Sequence, residues 1–132
     1  MKLTPYSVNR FNSSFAEWNV EREFATPIFN YFVHGFEPGG FFTALLANDF
    51  VGAMTRSHPA NTVESIKALC KWLINQNLKG VAWGDYKTVD KWLDLDVAVR
   101  RAVLEQSGLI YPEDQEIWMT LKGEKTQAPV FF

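Results

Sequence analysis

The chain has little of what most chemical or secreted functions require. Of its 132 residues one is cysteine, Cys70, and two are histidine, His34 and His58. A lone cysteine excludes an intrachain disulfide, so nothing asks for an oxidising compartment and cytoplasm is the expectation. One thiol and two separated imidazoles fall short of the four ligands of a closed zinc site. Neither a metal nor a cofactor is expected. An excess of charge is also missing: 13 Lys and Arg against 15 Asp and Glu leave a net charge of −2. That balance argues against a polyanion-binding protein and against a nucleic-acid mimic. Long apolar runs are absent too. The richest stretch, Phe41 to Val51, is broken by Asn48 and Asp49, short of the ~18 continuous apolar residues that a membrane span needs. Met1 to Pro5 lacks the apolar core of a signal peptide.

What the chain does have is apolar and aromatic mass. Residues of the apolar classes make up 47% of it and aromatics 15%, with eleven Phe and five Trp. Aromatic side chains bury large areas, so a few of them organise a small core, and the same residue types anchor protein interfaces. The length suits one domain, 1–132, since halves of it would be too small to hold cores of their own.

The periodicity predicts a mainly α fold, a compact bundle of about four to five short helices. Residues 1–12 read as an extended arm. Ser13 or Ser14 would cap a short helix from Phe15 to Phe24. Thr26-Pro27 is a helix start, with Thr as N-cap and Pro at the first helical position, where its missing amide costs nothing. That helix would run to Val33 and end at Gly35. Phe41, Phe42, Leu45, Leu46 and Asp49 mark a buried helix. Asn61 and Glu64 resemble a capping box, opening a helix whose apolar face is Val63, Ile66, Leu69, Cys70, Leu73 and Ile74. Asp85 caps a helix carrying Val89, Trp92 and Leu93. Asp96 restarts helix, and Gly108 ends it. The helical core is thus 26–108. Residues 109–132 form an extension expected to pack back on it. Glu116 to Leu121 and Val130 to Phe132 look β-prone, with Gly123 placed to allow a small C-terminal β-hairpin.

Residues 31–49 read YFVHGFEPGGFFTALLAND. They are followed by His58-Pro59-Ala60-Asn61, by Lys71-Trp72-Leu73-Ile74-Asn75, by Ala82-Trp83-Gly84-Asp85 and by Lys91-Trp92-Leu93. This succession resembles a family of small, uncharacterised proteins of tailed bacteriophages and prophages. Its pattern falls here at Gly35, Pro38, Gly39, Gly40, Phe41, Asn48, Asp49, Asn75, Trp83, Gly84, Asp85 and Trp92. Tyr86 departs from it, because the family often has Pro after the cap. The resemblance spans residues 31–93. It implies a virus-encoded accessory protein acting in the host bacterial cytoplasm, in host takeover or counter-defence, through a host or phage protein partner. It implies no activity.

The residues that could carry chemistry have plainer readings. Pro38-Gly39-Gly40 before a helix looks like a phosphate cradle, but no P-loop lysine follows and no strand clearly precedes, so a tight turn is expected. Cys70 reads as a buried small hydrophobe. Asp49 lacks a catalytic partner and is expected to cap a loop or pair with Arg56. Arg100 and Arg101, with Lys87 and Lys91, are interleaved with Asp90, Asp94, Asp96 and Glu105, as on a solvated helix face. No catalytic constellation is complete, so no enzyme is expected. The expected function is protein–protein interaction. A nucleic-acid-binding regulator is the alternative, because helices at 41–49 and 61–79 loosely resemble a helix-turn-helix, though with a long connection. A small enzyme using Asp49 and a histidine ranks last. The partner surface is placed at two turns, with Phe36, Glu37, Trp83, Asp85 and Tyr86 as its residues.

Overall fold

A computed structural model describes residues 1–122. Among these the chain is mainly helical, as its periodicity predicts. There are more helices than expected: α1 (Pro5–Glu17), α2 (Arg22–Phe29), a π-helical segment (Asn30–His34), α3 (Gly40–Leu46), α4 (Phe50–Arg56), α5 (Val63–Asn75), α6 (Tyr86–Asp94), α7 (Val97–Ser107) and α8 (Glu113–Leu121). No strand forms among the described residues, where Lys79 and Trp83 make only an isolated bridge.

The expected arm is a helix. Thr4 accepts from the Ser7 amide and Pro5 takes the first helical position, which is the Thr-Pro signal assigned above to Thr26-Pro27. Ser7, Phe11, Asn12 and Phe15 form its buried face at helical spacing. The start expected at Pro27 is instead the interior of α2, which begins at Arg22. Pro27 leaves one carbonyl without its intrahelical amide, and within three residues the helix widens into the π segment. Gly35 ends that segment in the left-handed region, as expected, at φ 66°.

The apolar stretch expected as one helix is two. Asn48 turns the chain at φ 61°, an Asn in the conformation usually left to Gly. Asp49 then accepts from the Gly52 amide, capping α4. The cap of α5 is Thr62 rather than Asn61, in a reciprocal box with Ser65. Its buried face is also rotated from the expected one. Ser65, Ile66, Leu69, Trp72 and Leu73 are buried, whereas Val63, Cys70 and Ile74 are exposed. Asp85 and Gly108 bound α6 and α7 as expected. Residues 116–121 are helical, not β-prone; Pro112 precedes them, and Glu113, Asp114 and Glu116 fill the first turn, where carboxylates suit the helix dipole. The other half of the expected hairpin, 130–132, lies outside the described residues, as do residues 123–132 of the expected extension 109–132; of its described part, Leu109, Ile110 and Glu116 are buried.

The core is aromatic. Phe11, Tyr31, Phe32, Trp72 and Trp92 are fully buried. Phe32 stands between the two indoles, its ring 5.8 Å from Trp72 and 6.1 Å from Trp92. The polar tips are satisfied. Trp72 donates to Ser14 Oγ at 2.9 Å, Trp92 to the Tyr31 carbonyl at 3.1 Å, and the Tyr31 hydroxyl to the Ala82 carbonyl at 2.6 Å. Burial pushes the Tyr31 phenol far above its ordinary 10.0, with Asp90 adding to the effect. A buried carboxylate fastens α8. Glu116 accepts from Ser7 Oγ and from Arg101 Nη2, and Arg101 also holds Glu105 at 2.9 Å. Both charges are paired and hydrogen-bonded, the condition under which burial of a carboxylate is tolerated.

Candidate functional site

The loop 35–40, α3, α4 and the start of α6 meet around a recess of about 310 Å³ lined by Glu37, Gly39, Gly40, Thr43, Arg56 and Tyr86. Two capping interactions place its walls. Asp49 caps α4 through Oδ1, and its Oδ2 accepts from the Tyr86 hydroxyl at 2.6 Å. Asp85 caps α6 by accepting from the Thr88 amide at 2.7 Å, which sets Tyr86 at the first helical position. The helix starts of α4 and α6 are therefore tied together by one hydrogen bond. Arg56 donates to the Gly52 carbonyl at 3.0 Å, and its stem crosses Gly40, where an added Cβ would meet Arg56 Cδ at 3.1 Å. A side chain at position 40 would require that stem to shift by a few tenths of an ångström.

Hydrogen bonds from Tyr86 and from the Gly52 amide hold the Asp49 carboxyl below its ordinary 3.8, with Arg56 adding to the same effect. The same contact raises the Tyr86 phenol above its ordinary 10.0. A lowered carboxyl pKa means stability that is present above pH 3.8 and lost as pH falls through the folded value. Tyr86→Phe should therefore melt lower than the wild type at pH 6, and the gap should close as pH falls below 3.8. Melting curves at pH 6 and pH 3 check this; an unchanged gap would refute the linkage.

The expected surface residues do not all fall together. Glu37 and Tyr86 share the recess; Phe36 precedes Glu37 in the chain but its ring lies 5.3 Å from that of His34, and 59% of Phe36 and 48% of Tyr86 are exposed. Asp85 is exposed at its rim. Trp83 is not part of this surface. It is 4% exposed, its indole nitrogen has no partner, and the Lys79 ammonium lies 5.8 Å from its ring. It anchors the connection whose Gly84 amide donates to the Leu46 carbonyl at 2.8 Å, so Trp83 is withdrawn from the partner set. The expected Asp49–Arg56 ion pair does not form as a direct contact, whereas Arg101 pairs with Glu105 and Glu116.

Sequence reasoning missed the exposed apolar face of α4. Phe50 is 74% and Val51 70% exposed, with Met54 one turn on from Phe50. The signal was Asn48-Asp49, a turn residue followed by an N-cap, which divides the stretch and frees its second half to face outward. Arg56 of the recess was read as a pairing partner only.

The remaining candidates are accounted for by packing. His58 is exposed and accepts from the Ala60 amide. Arg100 is buried and donates to the Trp92 and Leu95 carbonyls at the end of α6, which are helix-terminal acceptors in need of donors. Among the described residues no three of His, Cys, Asp and Glu converge as a metal would require, and no helix is long and apolar enough to cross a membrane. Comparison with protein-family models, with curated proteins and with solved structures gives no match.

Proposed function

We propose that the protein acts by protein–protein interaction, through the surface around the Glu37–Arg56–Tyr86 recess. The observation that carries this reading is the half-exposed Tyr86 lining the recess with Arg56 and Glu37, with exposed Phe36 next to Glu37 in the chain and exposed Phe50 next to Asp49, which accepts from the Tyr86 hydroxyl. Exposed aromatics around a single arginine are the residue types that dominate binding energy at interfaces. The contacting set is Phe36, Glu37, Asp85 and Tyr86, extended by Phe50 and Arg56. The resemblance of residues 31–93 to small proteins of tailed phages and prophages supports the setting: an accessory protein in the bacterial cytoplasm, working in host takeover or counter-defence.

The nucleic-acid alternative finds less support. Its best cations are used internally, Arg100 on carbonyls and Arg101 on two carboxylates. The pair of helices that loosely resembled a helix-turn-helix has α4 between its members.

Affinity capture from bacterial lysate, with nuclease and at moderate salt, tests the proposal. A stoichiometric protein partner that survives both treatments is expected. Capture that disappears with nuclease, or falls steeply with salt, would overturn it in favour of nucleic-acid binding.

A further inference from the structure

A second recess lies elsewhere on the fold. It is about 600 Å³, within the usual range for small-molecule sites. Half-buried Leu3 and Val8 form its apolar walls, with Phe29 and Val33 beneath, and Lys2 and His34 supply the polar groups. Three features set it apart from an ordinary surface dimple. It is built on the π-helical segment, a rare geometry that recurs at functional sites because the extra residue re-aims the side chains that follow. Its histidine is held in place, the ring 6.0 Å from Phe29 and 5.3 Å from Phe36. And the charges that act on that histidine are cationic, although Lys2 and Leu3 also border another recess lined by Arg101, Glu113 and Glu116. The Met1 amine lies 3.3 Å from His34 Nδ1, Lys2 is at the rim, and the Arg100 guanidinium packs against Gly35, next in the chain. Arg100 is buried with no carboxylate on it, and its Nε has no partner.

We propose that this recess binds a small amphipathic carboxylate, with the alkyl chain against Leu3 and Val8, over buried Phe29 and Val33, and the carboxylate held by His34 and Lys2. An apolar bed beneath a cationic rim complements a single anionic head on a hydrocarbon tail. A compact inorganic anion would leave the bed unused. A peptide chain would find no sheet edge to join among the described residues. Where Nδ1 accepts from the amine, the ring proton is on Nε2 and can donate to the carboxylate. Desolvation, the amine and Arg100 hold the His34 pKa below its ordinary 6.5. An anion bound there offsets those cations, so it must raise that pKa, and by linkage it must bind more tightly as pH falls toward 6.

The test titrates the isotope-labelled protein with decanoate, decanol and decyltrimethylammonium. Saturable shifts are expected at Leu3, Val8, Val33 and His34 with decanoate, and with them a higher His34 pKa. Decanol should bind roughly tenfold more weakly, the size of effect expected for one charge-assisted hydrogen bond. The cationic amphiphile should not bind at this recess. His34→Leu should lose the preference for decanoate over decanol. Lys2→Ala, at an exposed position that cannot disturb the core, should weaken decanoate roughly two- to fivefold, as rim charges do. Absence of saturable shifts, equal binding of the three amphiphiles, or an unmoved His34 pKa would overturn the proposal. Partner capture is read separately, at the recess of Glu37, Arg56 and Tyr86, and Tyr86→Ala, at a residue that does not line this recess, distinguishes the two.

Discussion

Phe32→Ala should destabilise the protein by about 3–5 kcal/mol, the usual cost of deleting a buried phenyl ring. Domains of this size typically have only about 5–15 kcal/mol in all. Phe32 is fully buried and touches three aromatic neighbours, with Tyr31 at 5.0 Å, Trp72 at 5.8 Å and Trp92 at 6.1 Å between ring centroids. Those neighbours are pinned by hydrogen bonds to Ser14, Tyr31 and Ala82, so they cannot close over the cavity without breaking a bond. The cost should therefore lie near the top of the range. Urea unfolding followed by tryptophan fluorescence measures it. A loss below about 1 kcal/mol, typical of an ordinary point mutation, would mean that the two indoles are not joined through this ring.

Gly35→Ala should have the second-largest effect, and its size should depend on Arg100. Gly35 sits at φ 66°, and an added Cβ would meet the Arg100 guanidinium at 2.9 Å. The left-handed backbone alone costs an L-residue about 1–2 kcal/mol. Moving the guanidinium strands the Trp92 and Leu95 carbonyls it serves, adding about 1–3 kcal/mol for unsatisfied buried groups. A double-mutant cycle separates the two contributions. In an Arg100→Met background the second cost is already incurred, so Gly35→Ala should cost only the backbone part. Equal costs in both backgrounds would show that the close approach carries no energy.

These two sites show how far the sequence could be read. Helical periodicity and terminal residues were legible where the signal is local: Gly35, Gly108 and Asp85 mark boundaries that the structure keeps. Reading failed where a local signal has two equivalent copies or an unusual carrier. Thr-Pro occurs at Thr4 and at Thr26; only the first starts a helix, and only tertiary packing of Phe24, Ala25 and Ile28 tells them apart. Three chain reversals at positive φ use Asn19, Asn48 and Asn77 in place of Gly, and the one at Asn48 hid α4. The buried face of α5 was misjudged because it is set by Trp72 packing on Phe15 at 4.6 Å, a partner 57 positions away in sequence, not by α5's own apolar spacing. The same holds for Glu116, buried against Ser7 and Arg101.

The candidate surface was half legible. Phe36, Glu37, Asp85 and Tyr86 lie in turns and helix starts that sequence identifies as exposed. Trp83 lies in such a turn as well, yet its side chain is drawn inward beneath the connection between Leu78 and Asp85, with Gly80 donating to its carbonyl at 2.7 Å. Phe50 and Arg56 became visible only once α3 and α4 were separate.

The most direct measurement of the central claim is partner capture by the double variant Phe36→Ala, Tyr86→Ala, read beside its melting temperature. Both side chains are about half exposed, so the account predicts that capture is abolished while the melting temperature falls only slightly, by the loss of the Tyr86–Asp49 hydrogen bond. Capture undiminished by the double variant would contradict the account, because the partner would then be held by a different face of the protein.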